Sequence, residues 1–309
     1  MADDDFDAVL RSWRRSLRSQ NRSPRTIKSY VDESGAQFAE WLRTSDDRPD
    51  TFAKVTKGHL EEFFGDLFEA GKSPSTVANR YRSLQQLFRW LCDEEEEIEV
   101  SPFVRMRPPE VPEQDVPVVE VVDMRRLIAA CKPPKGANLT DRFLGVRDEA
   151  LLRLVYDTGG RAAEVMGLLV DDVDMEMEVI HVHGKGRRDR AIPFGLKAGT
   201  ALDRYTRVRA KHPHARLDAL WLAQKGAMTD SGLRQMLERR AGLAGLPHIH
   251  PHQLRHSAAD AFFEAGGQET DAMRLFGWKS RQMVERYARS TGTRRAHAAK
   301  RRLSPGDKV

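Results

Sequence analysis

The sequence predicts a mainly α first half followed by a helix-rich α+β second half with a small antiparallel sheet. Three observations carry this. Two stretches of the first half open on Ser-Pro and continue with apolar residues at helical spacing. A proline-rich segment near the middle breaks all periodicity. The second half then holds one pair of β-branched runs around a Gly-Lys-Gly turn, set among further helical segments. At 309 residues the chain is long enough for two cores.

In the first half, "SPRTIKSYVDESGAQFAEWL" begins at Ser23 and "SPSTVANRYRSLQQLFRWL" at Ser73. Ser is a preferred N-cap, and Pro fits the first helical position because its missing N–H has no partner there. In the second stretch Val77, Leu84, Leu87, Phe88 and Leu91 form an apolar stripe at helical spacing, read as core. The two stretches form a weak internal repeat. The "DEEEE" run at 93–97 reads as a solvated helix end. "PPEVPEQDVPVV" (108–119) reads as an extended connection. Domains are therefore expected at 1–107 and 118–290, with a linker at 108–117 and a tail at 291–309.

The second half predicts helices at about 123–131, from Arg142 to Tyr156, and near 197–211, 230–242, 251–265, 269–276 and 280–290. "VIHVHGKGRRDRAIPF" (179–194) is the hairpin.

Hydrophobic residues make up 40% of the chain, and no run of about 18 apolar residues is present to cross a membrane. The opening "MADDDFDAVL" is acidic and has no apolar signal-peptide core. Cys92 and Cys131 are the only cysteines; they do not suggest a disulfide framework or a cysteine metal site, and a reducing cytoplasm fits.

The net charge of +5 is unevenly spread. Residues 1–117 hold 17 Lys+Arg against 23 Asp+Glu, a net of −6; residues 118–309 hold 34 against 23, a net of +11. A basic half suits a polyanion such as nucleic acid, with a generically basic surface as the alternative. Even the acidic half carries a basic stretch, Arg11, Arg14, Arg15, Arg18, Arg22, Arg25 and Lys28, with no acid among them, and Arg80, Arg82 and Arg89 on its second repeat.

Four short motifs in the second half place cations where anions bind. In "DTGGRAAEVMGL" a helix ends at Thr158, Gly159 and Gly160, and Arg161 opens the next. A cation in a first turn opposes the helix dipole unless an anion lies between them; a salt bridge to Glu164 is the alternative. Lys185 sits at a hairpin tip between glycines, or is an ordinary charged turn residue. In "HIHPHQLRHS" Pro251 can start a helix, so His252 and Arg255 share a face. A metal site built from His248, His250, His252 and His256 is the alternative. Pro251 interrupts any single element that would align all four, and no carboxylate or cysteine stands at a fixed spacing. In "GWKSRQMVERYAR" Ser280 can cap a helix carrying Tyr287 in its second turn, nine positions after Trp278. A core aromatic on a solvated basic helix is the alternative for Tyr287.

Two arginines, a lysine, a histidine and a tyrosine suit attack of a phenol on a phosphodiester. Phosphoryl transfer needs positioned positive charge on the non-bridging oxygens. Arg binds phosphate in a bidentate fork, and a phenolate is a competent covalent nucleophile.

With these residues in this order, "TGGRAAE", "GKG", "HQLRH", "FGW" and "ERY", the chain resembles the tyrosine recombinase family (phage integrase, Xer-type) over about 118–290. The helical first half is similar, less specifically, to the family's SAM-like core-binding domain. The resemblance implies that Arg161 and Arg255 clamp the scissile phosphate. It implies that His252 hydrogen-bonds the phosphate and helps proton transfer, and that Lys185 protonates the departing 5′ oxygen. Tyr287 would form a 3′-phosphotyrosyl bond. Trp278 stands where His is usual; its indole N–H can donate a hydrogen bond but cannot act as acid or base. Glu164 would order the Arg161 helix. Arg11, Arg14, Arg15, Arg18, Arg22, Arg25, Lys28, Arg80, Arg82, Arg187, Arg188 and Arg281 would contact DNA. Two departures stand out: Gly160 replaces an apolar residue, and "SAAD" follows "LRH" where "SFAT"-like text is common.

The resemblance further implies a two-domain clamp on a double-stranded recombination site, four protomers acting on two duplexes, and no ATP, metal or other cofactor. An accessory DNA-bending protein or a partner recombinase is compatible with it. Residues 291–304, with Ala296, Ala298, Ala299 and Leu303, would form a short helix docking on a neighbouring protomer; a basic tail on phosphates is the alternative. No arm-binding domain is apparent before residue 11, which favours a simple core-site recombinase. Other readings are a type IB topoisomerase, which shares the chemistry, a DNA-binding regulator without catalysis, and a metal-dependent nuclease, for which no carboxylate cluster is apparent.

Overall fold

The computed structural model describes residues 5–45, 47–112, 117–183 and 189–308. The side chains of 286–291, 294–295, 305 and 308 fall outside that description. The chain divides into two compact units, Met1–Gln114 and Asp115–Val309.

The first unit is helical: α1 (Asp5–Ser19), α2 (Pro24–Ile27), α3 (Ala36–Arg43), α4 (Lys57–Glu69) and α5 (Pro74–Asp93). Both Ser-Pro starts are helix N-termini. Ser23 accepts a hydrogen bond from the Thr26 N–H at 3.1 Å, and Ser73 from the Thr76 N–H at 3.3 Å. The first repeat differs from the expected plain helix: a π-helical segment, Lys28–Gly35, joins α2 to α3. The predicted stripe of α5 is fully buried, with Val77, Leu84, Leu87, Phe88 and Leu91 all at 0% exposure. An aromatic core of Phe38, Phe52, Phe63 and Phe88 meets it, with edge and tilted ring contacts of 4.9–6.3 Å. Residues 93–97 are exposed at and beyond the end of α5.

The second unit contains α6 (Val121–Ala129), α7 (Leu139–Thr158), α8 (Ala162–Met166), then β1 (Val173–Asp174), β2 (Val179–Val182) and β3 (Arg190–Pro193) in one antiparallel sheet of order β1-β2-β3. The two-residue β1 was not expected, because two residues carry no alternation to read. In β2 and β3 Ile180, Val182 and Ile192 face the core, with Ile180 opposite Ile192. The chain continues through α9 (Leu196–Arg209), a short hairpin β4 (Leu222–Ala223) and β5 (Gly226–Ala227), α10 (Asp230–Leu243), α11 (Pro251–Glu264), α12 (Glu269–Phe276) and α13 (Arg281–Leu303). The separate tail helix expected at 291–304 is not separate: α13 runs through it without a break. Nothing between 290 and 291 stops a helix, since Gly292 weakens it by only about 1 kcal/mol.

A buried charge cluster ties this unit together. The Asp148 carboxylate, at 0% exposure, accepts from Arg147 at 2.6 Å, Arg240 at 2.7 Å and Arg239 at 2.9 Å. Arg240 also donates to Ala130 O and Arg147 to Leu222 O, both at 2.9 Å. One residue of α7 thereby fixes α10, the end of α6 and β4. Among the described residues no helix is long and apolar enough to cross a membrane.

Candidate active site

The site is built around the C-terminal end of α12. Gly277 caps this helix in the left-handed conformation, φ +64°. The last carbonyls of a helix have no intrahelical donors and carry the negative end of its dipole. Here three consecutive ones each receive an arginine. Arg190 Nε donates to Leu275 O at 3.1 Å, Arg255 Nη2 to Phe276 O at 2.5 Å, and Arg161 Nη2 to Gly277 O at 3.1 Å.

Arg161 reaches this point from the α7–α8 junction. Gly159 ends α7 at φ +58°, and a Cβ there would lie 2.2 Å from the Phe276 ring, so the junction can press against α12 only without a side chain. Arg161 is the N-cap of α8, with extended backbone (φ −66°, ψ 147°), and not a residue of its first turn. The sequence places this cation in the first turn of the helix; it stands one position before it. The salt bridge held as an alternative is present, with Arg161 Nη1 2.7 Å from Glu164 Oε1. Glu164 also accepts the Arg161 N–H at 2.9 Å, which is the half of a capping box that a guanidinium at the N-cap allows. The pairing leaves Arg161 about half exposed, at 47%. Gly160 has a packing reason: a Cβ there would sit 2.7 Å from Val165 Cγ2, so Val165 already fills the space of an apolar side chain.

Arg255 comes from α11. It is 2% exposed, donates to Gly159 O at 2.6 Å, and lies over the Phe276 ring at 5.7 Å. His252, three residues before it, faces the same cleft. Its Nε2 lies 3.1 Å from Nε2 of His256, which is buried at 2%. Two ring nitrogens at that distance share one proton, so one ring donates and the other accepts. Arg161, His252 and Arg255 line one cleft of about 410 Å³, together with Asp230, Arg234 and His250.

The Glu164 carboxyl is opposed by burial, which would push it up. Hydrogen bonds from Arg190, from the Arg161 N–H and from the Arg161 guanidinium outweigh this and bring it down to about 2. It is ionised throughout the neutral range.

Trp278 is 5% exposed and stacks on Phe276 (4.9 Å between centroids) and Phe263 (6.3 Å). It is part of a small core shared by α11, α12 and α13, and is not among the residues lining the cleft. Tyr287 lies in α13, in its second turn, but its side chain is outside the described residues. Ser280 holds the N-cap position of α13 and makes no side-chain cap bond. Arg281 is exposed at the first position of that helix. Lys185, Arg187 and Arg188 lie outside the described residues. Beside them in the chain, His183 sits between Asp189 (3.0 Å) and Asp172 (3.1 Å), which raise its pKa.

In the first unit Arg11, Arg15, Arg18, Arg22, Arg25, Lys28 and Arg82 are exposed. Arg14 is ion-paired with Asp32. Arg80 is turned inward, to Gln37 Oε1 at 2.9 Å and Ser34 Oγ at 3.3 Å.

Three residues of the site were missed by sequence reasoning. Arg190 stands in a run of cations, "GRRDR", where nothing separates it from its neighbours. Asp230 and Arg234 belong to a helix with no motif. Among the described residues no group of three or more His, Cys, Asp or Glu is placed to hold a metal ion. His248 and His250 pair with each other at 3.2 Å, apart from the His252–His256 pair.

Both units are similar to known proteins. Residues 118–294 match the phage integrase family, and residues 9–98 the phage integrase N-terminal SAM-like domain. The chain is 30% identical over 279 residues to tyrosine recombinase XerC of Oceanobacillus iheyensis, covering 88% of each protein. It is 30% identical over 277 residues to tyrosine recombinase XerC of Bacillus subtilis, covering 87% of this chain and 86% of that one. Its fold is similar to that of XerH site-specific recombinase bound to palindromic difH substrate, with a TM-score of 0.72 and 20% identity over 94% of this chain and 83% of that one. It is equally similar, with a TM-score of 0.72 and 18% identity, to the Tn1549 transposon integrase in complex with transposon right end DNA, over 96% and 99%. With its SAM-like helical unit and its arginine-lined cleft, the chain belongs to the phage integrase family of tyrosine recombinases.

Proposed function

We propose that this site-specific DNA recombinase cleaves its target through a 3′-phosphotyrosyl intermediate formed by Tyr287. The observation that carries the reading is the convergence of Arg161, His252 and Arg255 on one cleft, with both arginines held by the carbonyls at the end of the helix that precedes the Tyr287 helix. Two guanidiniums neutralise the non-bridging oxygens of a bound phosphodiester. The Tyr287 oxygen attacks phosphorus, the bond to the 5′ oxygen breaks, and Lys185 delivers the proton that this oxygen needs. His252 takes the phenolic proton as the new ester forms. Religation runs the same steps in reverse with a 5′ hydroxyl, so the bond energy is conserved and no ATP is consumed.

Domain roles follow the same reading: 1–107 a core-binding domain, 108–117 a linker, 118–290 the catalytic domain, and 291–309 a tail docking on a neighbouring protomer. Exposed Arg11, Arg15, Arg18, Arg22, Arg25, Lys28 and Arg82 hold the DNA backbone, with Arg187, Arg188 and Arg281 from the second half. Arg14 and Arg80 contribute less directly, since acids and amides of their own unit engage them. Four protomers act on two duplexes, in the cytoplasm. The continuous α13, whose Leu303 is 64% exposed, supports a tail reaching for a partner.

The test is incubation of the protein with a nicked suicide duplex of its recombination site, with and without EDTA. A covalent protein–DNA adduct formed equally in both is expected. Adduct lost in EDTA and restored by Zn²⁺ or Mn²⁺ would replace this reading with the histidine-metal one.

A further inference from the structure

Among the described residues Glu164 receives four donors, and only half of them come from Arg161. The Arg161 N–H and Nη1 lie at 2.9 and 2.7 Å, and Arg190 Nη1 and Nη2 at 3.1 and 2.8 Å. One carboxylate is thus shared by two guanidiniums, which differ in exposure. Arg161 is 47% exposed and faces the cleft; Arg190 is 15% exposed and lies behind it.

Arg190 is also fixed independently of Glu164. It leaves β3, donates Nε to Leu275 O, and packs under Gly277, where a Cβ would come within 3.0 Å of its Nη1 and 3.1 Å of its Cζ. The turn between α12 and α13 is shaped around this side chain. A carboxylate serving Arg161 alone would form a neutral pair and weaken its hold on an anion. With Arg190 in place, the group of three charges keeps a net of one positive, and the exposed member of the group is Arg161.

We propose that Arg190 is a positioning residue of the phosphate clamp, balancing the Glu164 carboxylate so that Arg161 presents an uncancelled positive charge to the scissile phosphate. This rests on the reading of Arg161 as a phosphate ligand. The role is electrostatic, and this separates it from a mere strut between β3 and α8. A strut needs the hydrogen bonds of Arg190; a counter-charge needs its positive charge, and becomes dispensable once the carboxylate is gone.

The experiment measures the rate of covalent adduct formation on a nicked suicide duplex, alongside affinity for the intact duplex and the melting temperature. The variants are Arg190→Lys, Arg190→Gln, Glu164→Gln, the double variant Arg190→Gln with Glu164→Gln, and Arg161→Gln as reference. Arg190→Gln is expected to slow adduct formation by about 10- to 100-fold, the range for residues that act through a ligand-bearing neighbour, with duplex affinity within about threefold. Arg190→Lys, which keeps the charge and loses the fork, should stay within about fivefold of the parent. Adding Glu164→Gln to Arg190→Gln should recover about tenfold, because the carboxylate left unbalanced is removed. The inference is overturned if Lys is as slow as Gln, if the double variant is no faster than Arg190→Gln, or if Arg190→Gln cleaves at the parental rate. Should Arg161→Gln itself form adduct normally, the phosphate-clamp reading falls first, and this inference with it.

Discussion

Removing the charge of Glu164 by Glu164→Gln should change how stability depends on pH. The carboxyl sits at about 2 in the folded protein against an ordinary 4.5. A folded-state pKa below the unfolded one stabilises above pH 4.5, and that stabilisation is lost as pH falls from about 4.5 toward about 2. At about 1.36 kcal/mol per pH unit the full difference corresponds to about 3 kcal/mol. Between pH 6 and pH 3 the linkage relation gives about 2 kcal/mol of this, and solvent in the cleft mouth beside the half-exposed Arg161 screens it to about 1 kcal/mol. For a unit of this size, about 1 kcal/mol moves the melting temperature by about 2–4 °C. Calorimetry of the two proteins at pH 6 and pH 3 reads the effect. The parent should lose about 2–4 °C more than Glu164→Gln over that interval. Parallel loss in both proteins would refute the reasoning, because it would mean that Arg161 and Arg190 do not hold the carboxylate in solution.

Other consequences follow from the same geometry. Asp148→Asn leaves Arg147 and Arg240 buried without their counter-charge, and should cost about 3–5 kcal/mol, read as a melting-temperature drop on the order of 10 °C; a drop under about 3 °C would show the cluster to be solvated. Arg18→Gln and Arg25→Gln, both exposed, should each reduce the slope of log K against log salt by about one, whereas Arg80→Gln, turned inward, should leave it unchanged; equal effects from all three would contradict the placement of Arg80. Lys185→Ala should cleave slowly, by about 10²–10⁴-fold, and recover on a duplex with sulfur at the 5′ bridging position, since a thiolate leaves unprotonated; rescue of His252→Ala in its place would make His252 the acid.

Much of the architecture was legible because local chemistry and global packing agree. Ser23-Pro24 and Ser73-Pro74 are capping signals that need no tertiary context, and the α5 stripe is a periodicity that a single core satisfies. The π-helical segment after α2 was not legible, since its residues carry no signal that separates i→i+5 from i→i+4 bonding. The Arg161, His252 and Arg255 motifs were legible as types and spacings. What the sequence did not disclose is the scaffold: three arginines from α11, β3 and the α7–α8 junction meet at Leu275, Phe276 and Gly277, whose carbonyls have no sequence signature. Arg190 was missed for that reason. The stacking of the Trp278 ring on Phe263 and Phe276 was likewise not legible, because a one-dimensional pattern does not show which rings a residue packs against.

The central claim is that Tyr287 carries the DNA. The most direct measurement traps the adduct on a nicked suicide duplex, digests protein and DNA, and locates the nucleotide by peptide mass spectrometry, beside Tyr287→Phe as control. The account predicts a 3′-nucleotide on the peptide containing Tyr287 and no adduct from Tyr287→Phe, with duplex affinity kept within about threefold. A nucleotide on another residue, or adduct persisting in Tyr287→Phe, would contradict it.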